Sequence, residues 1–363
     1  MGAGGVALSV ESLKLTVHFG ESDRIGHVLL SDALVDLFAV HHLHVAVLIR
    51  AVEGFGLEQT LRTDRFLSLS EDLPLVAVAV DEPERIEAIL PAVTDVVSGG
   101  LVTLERARLL GGLVAPRAPS GDGAAKLSIY LGRDERIRGR PAYVDVVDVL
   151  RDLGLAGCTA LLGVDGVAHG ARRRARFFSR NASVPAMVVA VGGAEAVARA
   201  VSTLDGLLRH PIATLERMHV CKRDGTVLAS PTQHDEHDEA GLGIWQRLTV
   251  HAGEHARHQG RSLHTELIRR LRAAGASGAT SVRGVYGFYG DHQPHGDRLF
   301  RIRRRVPVVT TIVDRPERIR RWFDVVDEVT DEAGLVTSEL VPAYHAVASG
   351  GRVGGTRLAR PTG

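Results

Sequence analysis

Leu15-Thr16-Val17-His18-Phe19-Gly20-Glu21 returns twice along this chain, as Leu127-Ser128-Ile129-Tyr130-Leu131-Gly132-Arg133 and as Leu248-Thr249-Val250-His251-Ala252-Gly253-Glu254. The copies begin 112 and 233 residues after the first (127 less 15, and 248 less 15). Later landmarks hold that register. Gly54, Gly166 and Gly287 fall on it, as do Pro74 and Pro307, with Pro185 one residue short. Asp81-Glu82-Pro83-Glu84-Arg85-Ile86 matches Asp314-Arg315-Pro316-Glu317-Arg318-Ile319. Thr103-Leu104-Glu105, Thr214-Leu215-Glu216 and Thr337-Ser338-Glu339 close the units. Self-similarity at a long fixed period marks a repeat architecture, so function has to be read from one unit and from how its copies differ.

The 363 residues suit three units of about a hundred residues each. The resulting division is 11–110, 126–221 and 244–347, with linkers at 111–125 and 222–243 and a Gly- and Arg-rich tail at 348–363 expected to be disordered. Hydrophobic residues make up 45% and charged residues 24%, a globular balance. A net charge of +1 gives no reason to expect nucleic acid as a partner of the whole molecule. Cys158 and Cys221 are too few for a disulfide framework and fit a reducing compartment. No apolar run is long enough for a membrane helix, and Met1-Gly2-Ala3-Gly4-Gly5 has no basic region or signal core. A cytoplasmic location is expected.

Within the first unit, Leu13 to Phe19 alternates like a half-buried strand. Leu30, Leu34, Leu37 and Phe38 recur at helical spacing, which predicts a helix over Val28–His41. Val45–Val52 reads as a second strand, Gly54–Asp72 as a long polar loop and Leu75–Val80 as a third strand. Pro83 is well placed in the first turn of a second helix carrying Ile86, Ile89, Leu90 and Val93, and Leu101–Leu109 is the last strand. The order is βαββαβ, an α+β, ferredoxin-like arrangement. Apolar residues on the uncovered sheet face imply that three such units bury those faces against one another, giving an intramolecular pseudo-trimer.

Gly253-Glu254, Gly278-Ala279-Thr280, Arg283-Gly284, Gly287-Phe288, Val306-Pro307 and Val313-Asp314 in the third unit resemble the domain of unknown function 190 family. The first unit keeps Gly20-Glu21, Gly54-Phe55-Gly56, Leu73-Pro74 and Val80-Asp81. The second keeps Gly157-Cys158-Thr159 but lacks the hinge Phe and has Arg133 in place of Glu. That family is similar to PII-like signalling proteins, ferredoxin-like trimers. The resemblance implies a small effector, a nucleotide or anion, in clefts between units, and a partner held by the loop after the second strand. Members often lie beside fluoride-exporter genes, which implies a membrane transporter or channel as partner. A glycine-rich, lysine-bearing loop before the last strand is missing, which speaks against ATP and 2-oxoglutarate.

Candidate site residues fall into two groups. Hinge glycines allow close backbone approach and can cradle an anion. The ligand set is therefore Arg283, Gly284, Gly287, Phe288, Gly290 and Glu254 in the third unit and Arg50, Gly54, Phe55, Gly56 and Glu21 in the first, with the third unit the better preserved. Guanidinium groups match phosphate geometry. Arg172, Arg173, Arg174 and Arg176, with Arg301, Arg303, Arg304 and Arg305, are thus candidates for partner or phosphate contacts. The alternative readings are plain turn geometry for the glycines, solvated or ion-paired loops for the arginines, and surface pairs of Glu21 with Arg24 and Glu254 with Arg257. Histidines at 41, 42, 44, 251, 255 and 258 share no ligand set between copies, so no metal or other cofactor is expected. No nucleophile elbow, phosphate loop or zinc-protease motif is present, so the chain reads as a non-enzymatic regulator; the alternatives are a nucleic-acid-binding protein using the Arg-rich loops or an enzyme acting on phosphorylated small molecules.

Overall fold

A computed structural model describes residues 9–63, 72–111, 123–173, 184–208, 211–290, 295–296, 306–330 and 334–360. The chain is mixed α/β, with six helices and a mostly antiparallel sheet among the described residues. The helices are α1 (Leu30–Val40), α2 (Pro83–Val96), α3 (Ala142–Asp152), α4 (Ala194–Asp205), α5 (Leu263–Ala273) and α6 (Pro316–Thr330), two per unit. In α1 the buried positions are Leu30, Leu34, Val35 and Phe38, one helical stripe. Helix α2 begins at Pro83, whose missing N–H costs nothing in a first turn, and buries Ile86, Ile89, Leu90 and Val93.

Every unit weaves its four main strands in the same way. In the first, Ser9–Gly20 lies between Pro74–Asp81 and Gly100–Gly111, and Val45–Arg50 pairs with the outer side of Pro74–Asp81. The second unit repeats this with Ala124–Gly132, Pro185–Gly193, Ile212–Arg223 and Gly157–Leu162. The third repeats it with Trp245–Gly253, Pro307–Asp314, Leu335–Val341 and Ala279–Arg283. All these pairs are antiparallel. Each sheet buries one face under its own two helices, giving three separate cores.

The units are joined by strand pairing at two levels. After its second strand, each chain segment crosses to the next unit's second strand. Glu53–Phe55 pairs with Ala279–Ser281, Tyr286–Tyr289 with Gly157–Ala160, and Asp165–Ala168 with Val45–Leu48. The closing strands also pair around a circuit. Leu215–Ile212 meets Arg108–Gly111, His219–Arg223 meets Leu335–Ser338, and Ala343–Val347 returns to Gly100–Leu104.

Two expectations are corrected. The tail is not disordered over its described part: Gly351–Gly355 pairs with Ala343–Ala348, and Ala359 is fully buried with its N–H donated to the Pro342 carbonyl. An edge strand supplies the hydrogen bonds that its Gly-rich composition does not advertise. The 222–243 segment is likewise built. Asp238 accepts hydrogen bonds from the Ala240, Leu242 and Arg360 N–H groups, tying this acidic turn to the tail.

Candidate functional site

The three hinges are docking devices first. Phe55 belongs to the third unit's core, Phe288 to the second unit's core and Val167 to the first unit's core. These are matching positions, so each unit plugs one apolar side chain into its neighbour. The glycine before each plug lies where two backbones nearly touch. A Cβ on Gly287 would run into the Cys158 carbonyl, one on Gly166 into that of Ala46, and one on Gly54 into that of Ala279. Phe55 is 5% and Phe288 1% exposed, so packing rather than ligand stacking accounts for them. Gly284 packs against Thr159 and Pro307, and Gly290, at φ +59°, faces the Asp224 carboxylate.

The strand-end acids do form ion pairs, but not with Arg24 and Arg257. Glu21 pairs with Arg50 at 2.6 Å and Glu254 with Arg283 at 2.9 Å, at matching positions. The second unit has Arg133 and Leu162 there and no such pair. Arg172 is fully engaged, donating to Asp165 and Asp32 at 2.6 Å and pairing with Asp36. It ties the second unit to α1 instead of presenting a phosphate site. The Arg173 side chain is exposed. Arg174, Arg176, Arg301, Arg303, Arg304 and Arg305 lie outside the described residues.

Where the three inner sheet faces meet, six charged side chains form a buried ring. Lys14, Lys126 and Arg247 occupy matching positions, as do Glu105, Glu216 and Glu339. Lys14 bridges Glu105 at 2.7 Å and Glu216; Lys126 bridges Glu216 at 3.0 Å and Glu339; Arg247 grips Glu105 with both terminal nitrogens. The carboxylate oxygens lie within 4.8 Å of one another, a spacing that would suit a cation, and the ammonium and guanidinium groups supply it. Burial alone would raise Glu105, but Arg247 and Lys14 hold it well below the usual carboxylate range.

Beside the ring, burial pushes His251 down to about 4, with Glu339 opposing and Lys126 assisting. His18 is also held at about 4, by burial and the Arg247 charge. An unfolded chain protonates these imidazoles near 6.5, so the unfolded state takes up protons first as pH falls. His251 should therefore remove on the order of 3 kcal/mol of stability between pH 6.5 and 4. The depressed carboxylates Glu105 and Glu339 lose their contribution only as pH falls from their unfolded value of 4.5, outside the range from pH 7 to pH 5. Urea unfolding at pH 7 and pH 5 should show a smaller acid loss in His251→Gln than in the parent; equal losses would mean His251 is not buried neutral.

Each hinge crossing frames a cleft, and the three clefts differ. Between the first and third units a cavity of about 270 Å³ remains open, lined by Gly54, Phe55, Gly56, Arg62, Gly278 and Tyr344 among others. Gly56 is exposed, with nothing within 4 Å of where its Cβ would be. Arg62 lies against Gly20, held by Asp23 at 3.3 Å and Asp72 at 2.8 Å, and Arg24 and His18 also reach the cavity. Tyr344 forms a firm wall, stacked on Trp245 at 3.7 Å under the Arg315 guanidinium.

Between the third and second units, Tyr289 stands in the place of Gly56. Its side chain packs with Ala156, Val191 and Leu335, the counterparts of Ser277, Val313 and Leu101 in the open cleft. Between the second and first units, Tyr130 replaces His18 and Val45 replaces Gly278. Both join Val80 and Ile212 in an apolar cluster. Among the described residues these two crossings thus carry side chains where the first cleft has Gly56, His18 and Gly278, and a further space of about 270 Å³, lined by His42, His44, Asp81, Arg85, His169 and Gly170, lies between the first and second units.

The DUF190 family, described as an uncharacterized ACR, matches three times, over residues 12–109, 124–220 and 245–343. The chain belongs to the DUF190 family. Its three DUF190 units coincide with the structural repeats. Among solved structures, CrmK, a flavoenzyme involved in the shunt product recycling mechanism in caerulomycin biosynthesis, is similar at 13% identity over 80% of this chain. The match spans 56% of that protein, and its TM-score of 0.18 carries no argument about fold or activity.

Several residues of the open cleft were not singled out from the DUF190 motifs: His18, Arg62, the turn Ser98-Gly99-Gly100 and Tyr344. The signal that finds them is the difference between aligned copies, Gly56 against Tyr289 and His18 against Tyr130, rather than any shared motif. The ring residues were legible in the same alignment, since Lys14, Lys126 and Arg247 keep the repeat spacing.

Proposed function

We propose that this chain is a non-enzymatic regulatory protein, a single-chain pseudo-trimer of ferredoxin-like, PII-like units that binds one small effector between its first and third units. The observation that carries this reading is the inequality of the clefts: among the described residues, the space of about 270 Å³ between the first and third units keeps Gly56 and His18 where the other two crossings have Tyr289 and Tyr130 packed into apolar clusters. Concave, partly apolar spaces with a few converging polar groups are where small ligands bind. Tyr344 offers an apolar wall, while Arg24 and Arg62 favour an anionic group. A nucleotide or small anion fits that chemistry. The loop that starts from the same hinge would carry the signal to a partner, for which a membrane transporter or channel such as a fluoride exporter is the proposal. An effector shifts such a loop only by its differential affinity for the two loop states. The protein is proposed to work in the cytoplasm.

A thermal-shift panel of adenine and guanine nucleotides, cyclic dinucleotides, bicarbonate and fluoride tests this. A ligand at a hundred times its dissociation constant adds about 2.7 kcal/mol. The control is Gly56→Tyr, which copies Tyr289 into a position with free space. It should fold with unchanged stability and lose the shift entirely. A hit that stabilises parent and Gly56→Tyr equally places the ligand elsewhere.

A further inference from the structure

The charged ring is also the floor of a second, axial cavity of about 130 Å³, which meets the cleft at His18, Thr280 and Thr311. Strand register orders its walls. Lys14, Lys126 and Arg247 form the floor. Thr16, Ser128 and Thr249 stand one level up. At the far end Ile49, Leu161 and Val282 meet Val76, Met187 and Val309, matching triplets from the three units. Val282 and Val309 are half-buried and mark the entrance.

The floor does not present a balanced charge to this space. All three cations line the cavity, whereas of the three carboxylates only Glu339 does. Two buried polar atoms beside it have no hydrogen-bond partner, Nε of Arg247 and Nδ1 of His251, on side chains 5% and 3% exposed. The Arg247 Nε–H is a donor in every state, and a buried donor left unmatched costs about 1–3 kcal/mol, so an acceptor placed there is favoured. Beyond the level of Thr16, Ser128 and Thr249 the far walls are aliphatic and suit an apolar body.

We propose that this axial cavity binds a small monocarboxylate, its carboxylate on Arg247 and the lysines and its short alkyl tail among the valines and Leu161. An inorganic oxyanion would satisfy the floor but leave the aliphatic walls unused. A neutral amide of the same shape would bring its own N–H groups against three cations. The wall shared with the open cleft is His18, Thr280 and Thr311 and does not include Gly56, so the two occupants can be told apart.

The test is calorimetric titration of the intact chain with sodium propionate, alongside propionamide and propylammonium. Propionate should bind and raise the unfolding temperature; the neutral and cationic analogues should not. Arg247→Lys restores the residue type of the other two units, keeps the ring's charge and removes the unpaired Nε–H. It should fold normally and weaken propionate about tenfold or more. Val309→Trp narrows the entrance and should abolish binding. Gly56→Tyr should bind propionate as the parent does, which separates this site from the cleft. No binding of propionate to the folded parent, equal binding of propionamide, an unaffected Arg247→Lys, or loss in Gly56→Tyr would each overturn the assignment.

Discussion

Replacing Glu105 with Ala should lower the unfolding free energy by about 3–5 kcal/mol, because it takes the paired carboxylate from buried Arg247 and one of the two carboxylates from buried Lys14. The Glu105 carboxylate is the shared partner of Lys14 and Arg247, and the residue is 2% exposed. A buried ion pair adds little net stability over an apolar core, but removing one member leaves an uncompensated charge in a medium that cannot solvate it. The loss should be seen by urea unfolding of the whole chain at pH 7. Because the ring draws residues from all three units, the transition should stay single and move as a whole. A loss below about 1 kcal/mol, the level of a surface pair, would mean that water reaches the ring.

Phe288→Ala should cost a similar amount, about 3–5 kcal/mol, by emptying a core position. Its interest is where the damage lands. Phe288 is part of the third unit's sequence, yet it packs among Leu127, Ala160 and Val188 of the second. Hydrogen exchange should therefore speed up most at Gly157–Ala160, the strand that pairs with Tyr286–Tyr289. If exchange rises first in the third unit's own sheet, the plug is not what holds these units together.

Much of the unit was legible from residue patterns. The expected helix at 28–41 and strand at 75–80 became Leu30–Val40 and Pro74–Asp81, because hydrophobic spacing reports directly on which face is buried. What the pattern of one unit cannot express is a relation between units. Phe55 and Phe288 read as ligand-contacting hinge aromatics until the strand is seen crossing into the next core. Arg172 reads as a free basic residue until Asp32 and Asp36 are brought to it from a helix more than a hundred residues away. The third unit's hinge, richest in family landmarks, proves to be one whose cleft is filled by its own Tyr289, whereas the first unit's plainer Gly56 leaves space. Landmarks shared among copies report the docking that every copy must perform. Departures among copies report where the copies stopped being equivalent, and the candidate site lies there.

The most direct test of a fused three-unit body with one working cleft is stoichiometry. Light scattering should give the mass of one chain, 38.9 kDa. Native mass spectrometry with any nucleotide or anion that emerges from the thermal-shift panel should give one cleft-bound molecule per chain, absent in Gly56→Tyr. A mass of three chains, or three equivalents bound to each chain, would contradict the account.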